Sequence, residues 1–204
     1  MIDSIIFDVD GTLWDSTDTV ARAWNRILEQ ETDLEPTLTG DTLKGLFGRL
    51  LPDIAAVIFE KYPKERQLEL IDLCCAEEHR ELLAHPAPVY DTLEETLRLL
   101  SERYPLYIVS NCQAGYIEVF LEATGLGSYF RDHLCPGDTG HAKAENIRAI
   151  MKRHNLRSPV YDTAGDQNAC RSAGVPFVFA AYGFGSADAP EYTIQKPLDL
   201  TRIF

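Results

Sequence analysis

The chain has 204 residues, 45% hydrophobic and 25% charged, the balance of a soluble globular protein with enough length for a core domain and a smaller insertion. Lys and Arg number 19 against 32 Asp and Glu, a formal charge of −13, which argues against nucleic acid as a partner because affinity for its backbone rests on clustered cations. No basic segment and long apolar core open the chain, no stretch reaches the ~18 apolar residues of a membrane span, and the odd set of five cysteines lacks metal-ligand spacing; reduced thiols and a cytoplasmic protein without a membrane partner are expected.

In chain order, Ile5, Ile6 and Phe7 form an apolar, β-branched run that predicts a buried strand. It delivers two carboxylates, Asp8 and Asp10, into a Gly11-Thr12 turn. Unpaired buried charge is costly, so the pair calls for a partner. A divalent cation is one, and an Asp held beside it can attack phosphorus; caps for the turn are the plainer alternative. Residues 16–85 then show helical periodicity. Ser16 or Thr17 is placed as cap of a helix with Val20, Trp24, Ile27 and Leu28 on one face, and Thr39 as the start of another carrying Leu43, Leu46 and Phe47. Pro52 falls in the first turn of a third with Ile54, Val57 and Ile58, and a fourth is expected near 64–84. Beyond them, Asp91 and Glu94 form an expected capping box, Leu106–Val109 a strand ended by Ser110 and Asn111, and Ala114 to Gly125 a helix. A further helix runs from Lys143 to His154, Val160-Tyr161 predicts a strand before Asp162 and Asp166, and Val175–Ala180 another strand. The alternation predicts an α/β fold: a doubly wound parallel sheet, a Rossmann-like core of residues 1–15 and 86–204, with an inserted helical-bundle cap, residues 16–85.

Asp8-Val9-Asp10-Gly11-Thr12 resembles the first motif of the haloacid dehalogenase superfamily of phosphatases and phosphomutases, in its phosphoglycolate phosphatase and β-phosphoglucomutase branch with a helical cap. Ser110-Asn111 resembles the second motif and Lys143, at the start of a helix, the third. Asp162 and Asp166, four positions apart, resemble the fourth; Ala173-Gly174-Val175-Pro176 and Tyr182-Gly183-Phe184-Gly185 continue the likeness. Two departures stand out. Lys143 is not followed by proline, and Tyr161 stands where the branch has glycine, which implies a reshaped loop.

The resemblance implies a phosphoric monoester hydrolase, a Mg²⁺-dependent phosphatase working on a small phosphorylated metabolite. Asp8 is the implied nucleophile and Asp10 the acid and base; Thr12, Ser110, Asn111 and Lys143 bind phosphate, and Asp8, Asp10, Asp162 and Asp166 hold the metal. A phosphomutase of the β-phosphoglucomutase kind shares this chemistry, and a non-catalytic phosphate-binding module is the alternative of another class. A monomer or homodimer is expected. Arg49 is read as a clamp for a substrate anion, with a solvated loop the equal alternative. Trp14 is read as packing at the crossing between domains, and His79, His85, His133, His141 and His154 as surface or helix-end residues.

Overall fold

The computed structural model describes residues 2–163 and 167–204, with the side chains of residues 161–163 outside that description. In order these form β1 (Ser4–Phe7), α1 (Thr17–Glu31), α2 (Gly40–Lys44), α3 (Leu51–Ile58) and α4 (Lys64–Ala84). Next come α5 (Leu93–Ser101), β2 (Leu106–Val109), α6 (Tyr116–Thr124), β3 (Phe130–Leu134), α7 (Pro136–Thr139) and α8 (Lys143–His154). The last are β4 (Pro159–Thr163), α9 (Gln167–Ala173), β5 (Phe177–Ala180), β6 (Tyr192–Ile194) and α10 (Leu200–Ile203). They separate into two compact units, Met1–Asp15 with Pro88–Phe204, and Ser16–Ala87.

The first unit is a doubly wound α/β layer. Its six strands, among the described residues, lie in the order β3-β2-β1-β4-β5-β6, every neighbouring pair parallel. All four residues of β1 and of β2 are buried, as parallel strands covered on both faces require. Phe7 stands in register with Ile108 of β2 on one side and with Asp162 of β4 on the other. The chain ends of three strands are thereby gathered at one edge of the sheet, where parallel sheets bind ligands. One face of the core is filled by Ile6, Tyr107, Val109, Ile147, Ile150 and Phe177 with their neighbours.

The second unit is helical. Val20, Trp24, Ile27 and Leu28 form the buried face of α1, and Leu70, Ile71, Cys74, Cys75 and Leu82 that of α4. Two buried carboxylates of α4 are used to fix the pairing: Glu78 accepts the Trp24 indole N–H at 2.6 Å, and Glu81 pairs with the Arg26 guanidinium. That hydrogen bond from Arg26 holds the Glu81 carboxyl below its ordinary range. Thr39 caps α2 by accepting the Thr42 N–H, and Pro52 sits in the first turn of α3.

The structure corrects several sequence expectations. No side-chain hydrogen bond caps α1 at Ser16, and the capping box at Asp91 is absent: Thr92 precedes α5 with φ +66° and without a side-chain cap. The helix expected from Ala114 begins at Tyr116, because Gly115 takes a left-handed conformation at φ +83°. Asp162 lies within β4 instead of after it. Tyr161 is a ladder residue there, paired with Ile6 and Phe177, so its extended backbone needs no glycine. The sequence pattern does not mark the two edge strands, β3 and β6; edge position leaves Phe-Arg-Asp-His-Leu and Tyr-Thr-Ile without a continuous apolar signature.

Gly137 holds the loop after β2 close to the end of β3: its N–H donates to the Cys112 carbonyl at 3.1 Å. A Cβ there would fall 2.0 Å from the Ala114 nitrogen and 2.4 Å from the Gln113 carbonyl carbon, both backbone. Gly137→Ala is therefore expected to lower unfolding free energy by at least the ~1–3 kcal/mol of an overpacked core. Gly127→Ala, whose Cβ would meet only a Leu121 methylene at 3.8 Å, should stay near wild type. Urea denaturation of both variants checks the contrast.

Candidate active site

The polypeptide leaves β1 at Phe7 and turns at once. The Val9 carbonyl accepts the N–H groups of Thr12 (3.3 Å), Leu13 (2.8 Å) and Trp14 (3.3 Å), while the Gly11 N–H donates to the Trp14 carbonyl at 2.9 Å. Gly11 takes φ +76° to make this closure, a conformation cheap only for glycine. The Tyr182 hydroxyl donates to the Thr12 carbonyl at 2.9 Å, so the segment after β5 clamps the same turn. Thr12 itself is fully buried, and its hydroxyl oxygen has no hydrogen-bond partner among the described residues. A polar atom in that state is costly unless something binds it.

Asp8 is held at both oxygens. Oδ1 accepts the Val9 N–H at 2.8 Å, and Lys143 Nζ lies 2.9 Å from Oδ2, with side chains 3% (Lys143) and 10% (Asp8) exposed. Lys143 is the first residue of α8, an end where the helix dipole disfavours a cation; the carboxylate of Asp8 supplies the compensating charge. The approach to α8 is braced by Asn146, which donates to the His141 carbonyl and accepts from Thr139, and by Glu145, which accepts the Ala142 N–H. Asp10 is gripped differently. Its Oδ1 accepts the Trp14 indole N–H at 3.0 Å and the Tyr116 hydroxyl at 2.7 Å.

Ser110 directly follows β2, is buried, and is tied to the end of β3 by its N–H to the Leu134 carbonyl; Asn111 follows it, half-buried. Asp162 stands one strand over on β4, its side chain outside the described residues, and Asp166 lies wholly outside them. Among the described residues no three His, Cys, Asp or Glu side chains form a metal cage. The described carboxylates at the strand end, Asp8 and Asp10, offer the hard oxygen donors that Mg²⁺ takes. Arg49 is exposed and belongs to the helical unit. Trp14 is fully buried against Tyr116 and Phe120, so its ring has no free face for a substrate.

Tyr116 carried no signal in the sequence, and Tyr182 and Trp14 carried none for the polar atoms by which they hold the turn and Asp10. Tyr90 stacks edge-to-face on Tyr182 at 4.8 Å; burial, then the charges of Asp15 and Asp10, push its phenol up, which keeps it neutral. The five cysteines are all free thiols and buried. Burial foremost, with Cys135, Asp10 and Asp8 nearby, drives the Cys112 thiol well above its usual range and leaves it an inert packing group. His141 is exposed beside Glu145 and takes no part in the cluster.

Paired acids at the end of a central parallel strand, faced by a buried lysine, define a hydrolase site on a Rossmann-like fold. A family model described as haloacid dehalogenase-like hydrolase matches residues 5–180, and the chain belongs to that family. It is 27% identical to pyrophosphatase PpaX of Bacillus velezensis, covering 99% of this chain and 96% of that one. To a phosphoglycolate phosphatase of Aquifex aeolicus it is 26% identical, over 98% and 95% of the two chains. Among solved structures, a haloacid dehalogenase-like family hydrolase from Streptococcus pneumoniae superposes with a TM-score of 0.84 at 22% identity, covering 100% of this chain and 98% of that one. No helix among the described residues is long and apolar enough to cross a membrane.

The buried Asp8–Lys143 pair makes a stability prediction independent of activity. Lys143→Met strands the carboxylate and is expected to cost about 3–5 kcal/mol, the scale for breaking a buried ion pair by removing one partner. Adding Asp8→Asn to Lys143→Met should recover a large part of the loss, since no buried charge is then left alone. Chemical denaturation of the wild type, both single variants and the double variant checks the cycle.

Proposed function

We propose that this haloacid dehalogenase-like hydrolase is a Mg²⁺-dependent phosphatase that cleaves a small phosphate ester through an aspartyl-phosphate on Asp8. The observation that carries the reading is the Lys143 ammonium 2.9 Å from the Asp8 carboxylate, inside the protein, with the buried and unsatisfied Thr12 hydroxyl in the turn that follows Asp8. That cluster suits one nucleophilic oxygen and a tetrahedral anion. With the chain at −13 overall, an anionic substrate is drawn in by such local groups and not by the global field.

In this reading Asp8 attacks phosphorus in line and forms the acyl phosphate. Lys143 relieves the repulsion between the carboxylate and the phosphoryl oxygens, and Thr12, Ser110 and Asn111 donate hydrogen bonds to those oxygens. Asp10 protonates the departing oxygen and then takes a proton from the water that cleaves the aspartyl-phosphate. Asp8, the Asp10 carbonyl, Asp162 and Asp166 would hold Mg²⁺, which when bound offsets the charge gathering on the phosphoryl group. The relatives named for pyrophosphate and phosphoglycolate support a small phosphorylated metabolite as substrate. The free, buried cysteines fit a reducing cytoplasm. We assign chemistry to the sheet unit and selectivity to the helical unit, with Arg49 as its anion clamp.

The primary test is p-nitrophenyl phosphate hydrolysis with Mg²⁺. Asp8→Asn is expected to reduce turnover to background with the far-ultraviolet circular dichroism unchanged; more than a few per cent of residual activity rules Asp8 out as nucleophile. Chelation with EDTA should abolish activity and added Mg²⁺ should restore it. For the division of labour, Arg49→Ala is expected to raise KM for phosphoglycolate while p-nitrophenyl phosphate turnover holds, because the aryl ester makes little use of an anion clamp. No change with either ester would return Arg49 to the solvated-loop reading, and a collapse of p-nitrophenyl phosphate turnover would show that it supports the sheet unit's site instead.

A further inference from the structure

Two hydrogen-bond donors converge on one oxygen of Asp10. Tyr116 Oη donates at 2.7 Å and Trp14 Nε1 at 3.0 Å, both to Oδ1, and Tyr116 and Trp14 are 2% and 0% exposed. The two rings brace each other edge-to-face at 6.0 Å, and Phe120 of α6 packs on the indole at 5.0 Å. Tyr116 opens α6 directly after Gly115, whose left-handed backbone aims the helix start at the turn, and Trp14 is fixed by its own main-chain bonds to Val9 and Gly11. Neither donor has conformational slack to lose. A carboxylate oxygen has two lone pairs, so Oδ1 is saturated by these partners and cannot also exchange a proton.

Building on the acid and base role of Asp10 in the proposed phosphatase, we infer that Tyr116 and Trp14 are positioning residues that lock the Asp10 carboxyl by Oδ1 and assign proton transfer to Oδ2. In the first half-reaction the Oδ2–H bond breaks and a bond from hydrogen to the leaving oxygen forms, as the phosphorus–oxygen ester bond breaks and its electron pair passes to that oxygen. In the second half-reaction water adds to the phosphorus of the aspartyl-phosphate, its proton goes to Oδ2, and the Asp8 carboxylate leaves. Rotation of the carboxyl group would swap the two oxygens; the paired donors prevent it. Holding a proton donor in line with its target is a large part of what makes general acid catalysis efficient.

The test compares phenyl phosphate with p-nitrophenyl phosphate, esters of nearly one shape whose leaving groups differ in their need for a proton. Tyr116→Phe removes the hydroxyl and keeps the ring that supports Trp14. It is expected to lower kcat/KM for phenyl phosphate on the order of tenfold, the scale of one charge-assisted hydrogen bond, and for p-nitrophenyl phosphate much less. The Mg²⁺ concentration for half-maximal activity should stay at the wild-type value, while the melting temperature falls by no more than several degrees, the scale of one lost hydrogen bond to a charged group. In an Asp10→Asn background the same substitution should add nothing. Equal losses on both esters, a shifted Mg²⁺ requirement, or a further loss on top of Asp10→Asn would each overturn the positioning role. If Asp10→Asn discriminates between the esters and Tyr116→Phe is silent, the inference fails while the acid role of Asp10 stands. If Asp10→Asn itself spares phenyl phosphate, the acid role fails first.

Discussion

A lysine ammonium 2.9 Å from a carboxylate, both almost withdrawn from water, is the contact around which the sheet unit is organised. Asp8 sits at the end of β1, the strand flanked by β2 and β4 near the middle of the sheet, where an isolated charge would be expensive. Lys143 comes from the first turn of α8, far along the chain, and reaches the strand end only because β3, α7 and α8 cross over between β2 and β4. The pair is thus a junction between distant segments. The same desolvation that makes the pair costly strengthens its field on a bound phosphoryl group.

Around that junction the backbone is over-determined. Three N–H groups converge on the Val9 carbonyl, the Gly11 N–H closes onto Trp14, and the Tyr182 hydroxyl secures the Thr12 carbonyl from the far end of the chain. Such density of main-chain bonds holds Asp8 and Asp10 at fixed separation and orientation, the condition under which charge stabilisation costs no reorganisation during a reaction. The Thr12 hydroxyl is the exception. It is buried within this otherwise satisfied turn and without a partner among the described residues, as a group reserved for a ligand would be.

The helical unit is built on another principle. Its principal helices meet through an apolar face interrupted by two carboxylates, Glu78 on the Trp24 indole and Glu81 on Arg26. Buried polar pairs of this sort add little net stability over apolar packing, but each has one correct partner, and they fix the register of α1 on α4. The surface of the unit bears exposed Leu50, Val57, Leu68, Leu73 and Leu83. A unit that holds its own frame by such pairs can vary its outward residues without losing the register of its helices.

The sequence by itself determined the class of fold and the order of its principal elements. Continuous apolar runs and period-3.6 patterns are local, so β1, β2, α8 and the helices of 16–85 could be read directly, as could the lysine at a helix start where the dipole disfavours it. Which anion compensates it, only the tertiary structure decided: Asp8 is the partner because the crossover brings α8 to the end of β1. The same holds for Tyr116 and Trp14. A tyrosine after a glycine and a tryptophan after a turn look like packing residues in one dimension, and both do pack; that their polar atoms converge on Asp10 Oδ1 follows from the placement of α6 beside the turn. The edge strands β3 and β6 carry no local signature because a strand open to solvent on one side needs no apolar run, and no capping box forms at Asp91, where Thr92 takes a left-handed conformation. Periodicity and turn chemistry are written in neighbouring residues, whereas hydrogen bonds and ion pairs between side chains distant along the chain exist only once the sheet has set their distance.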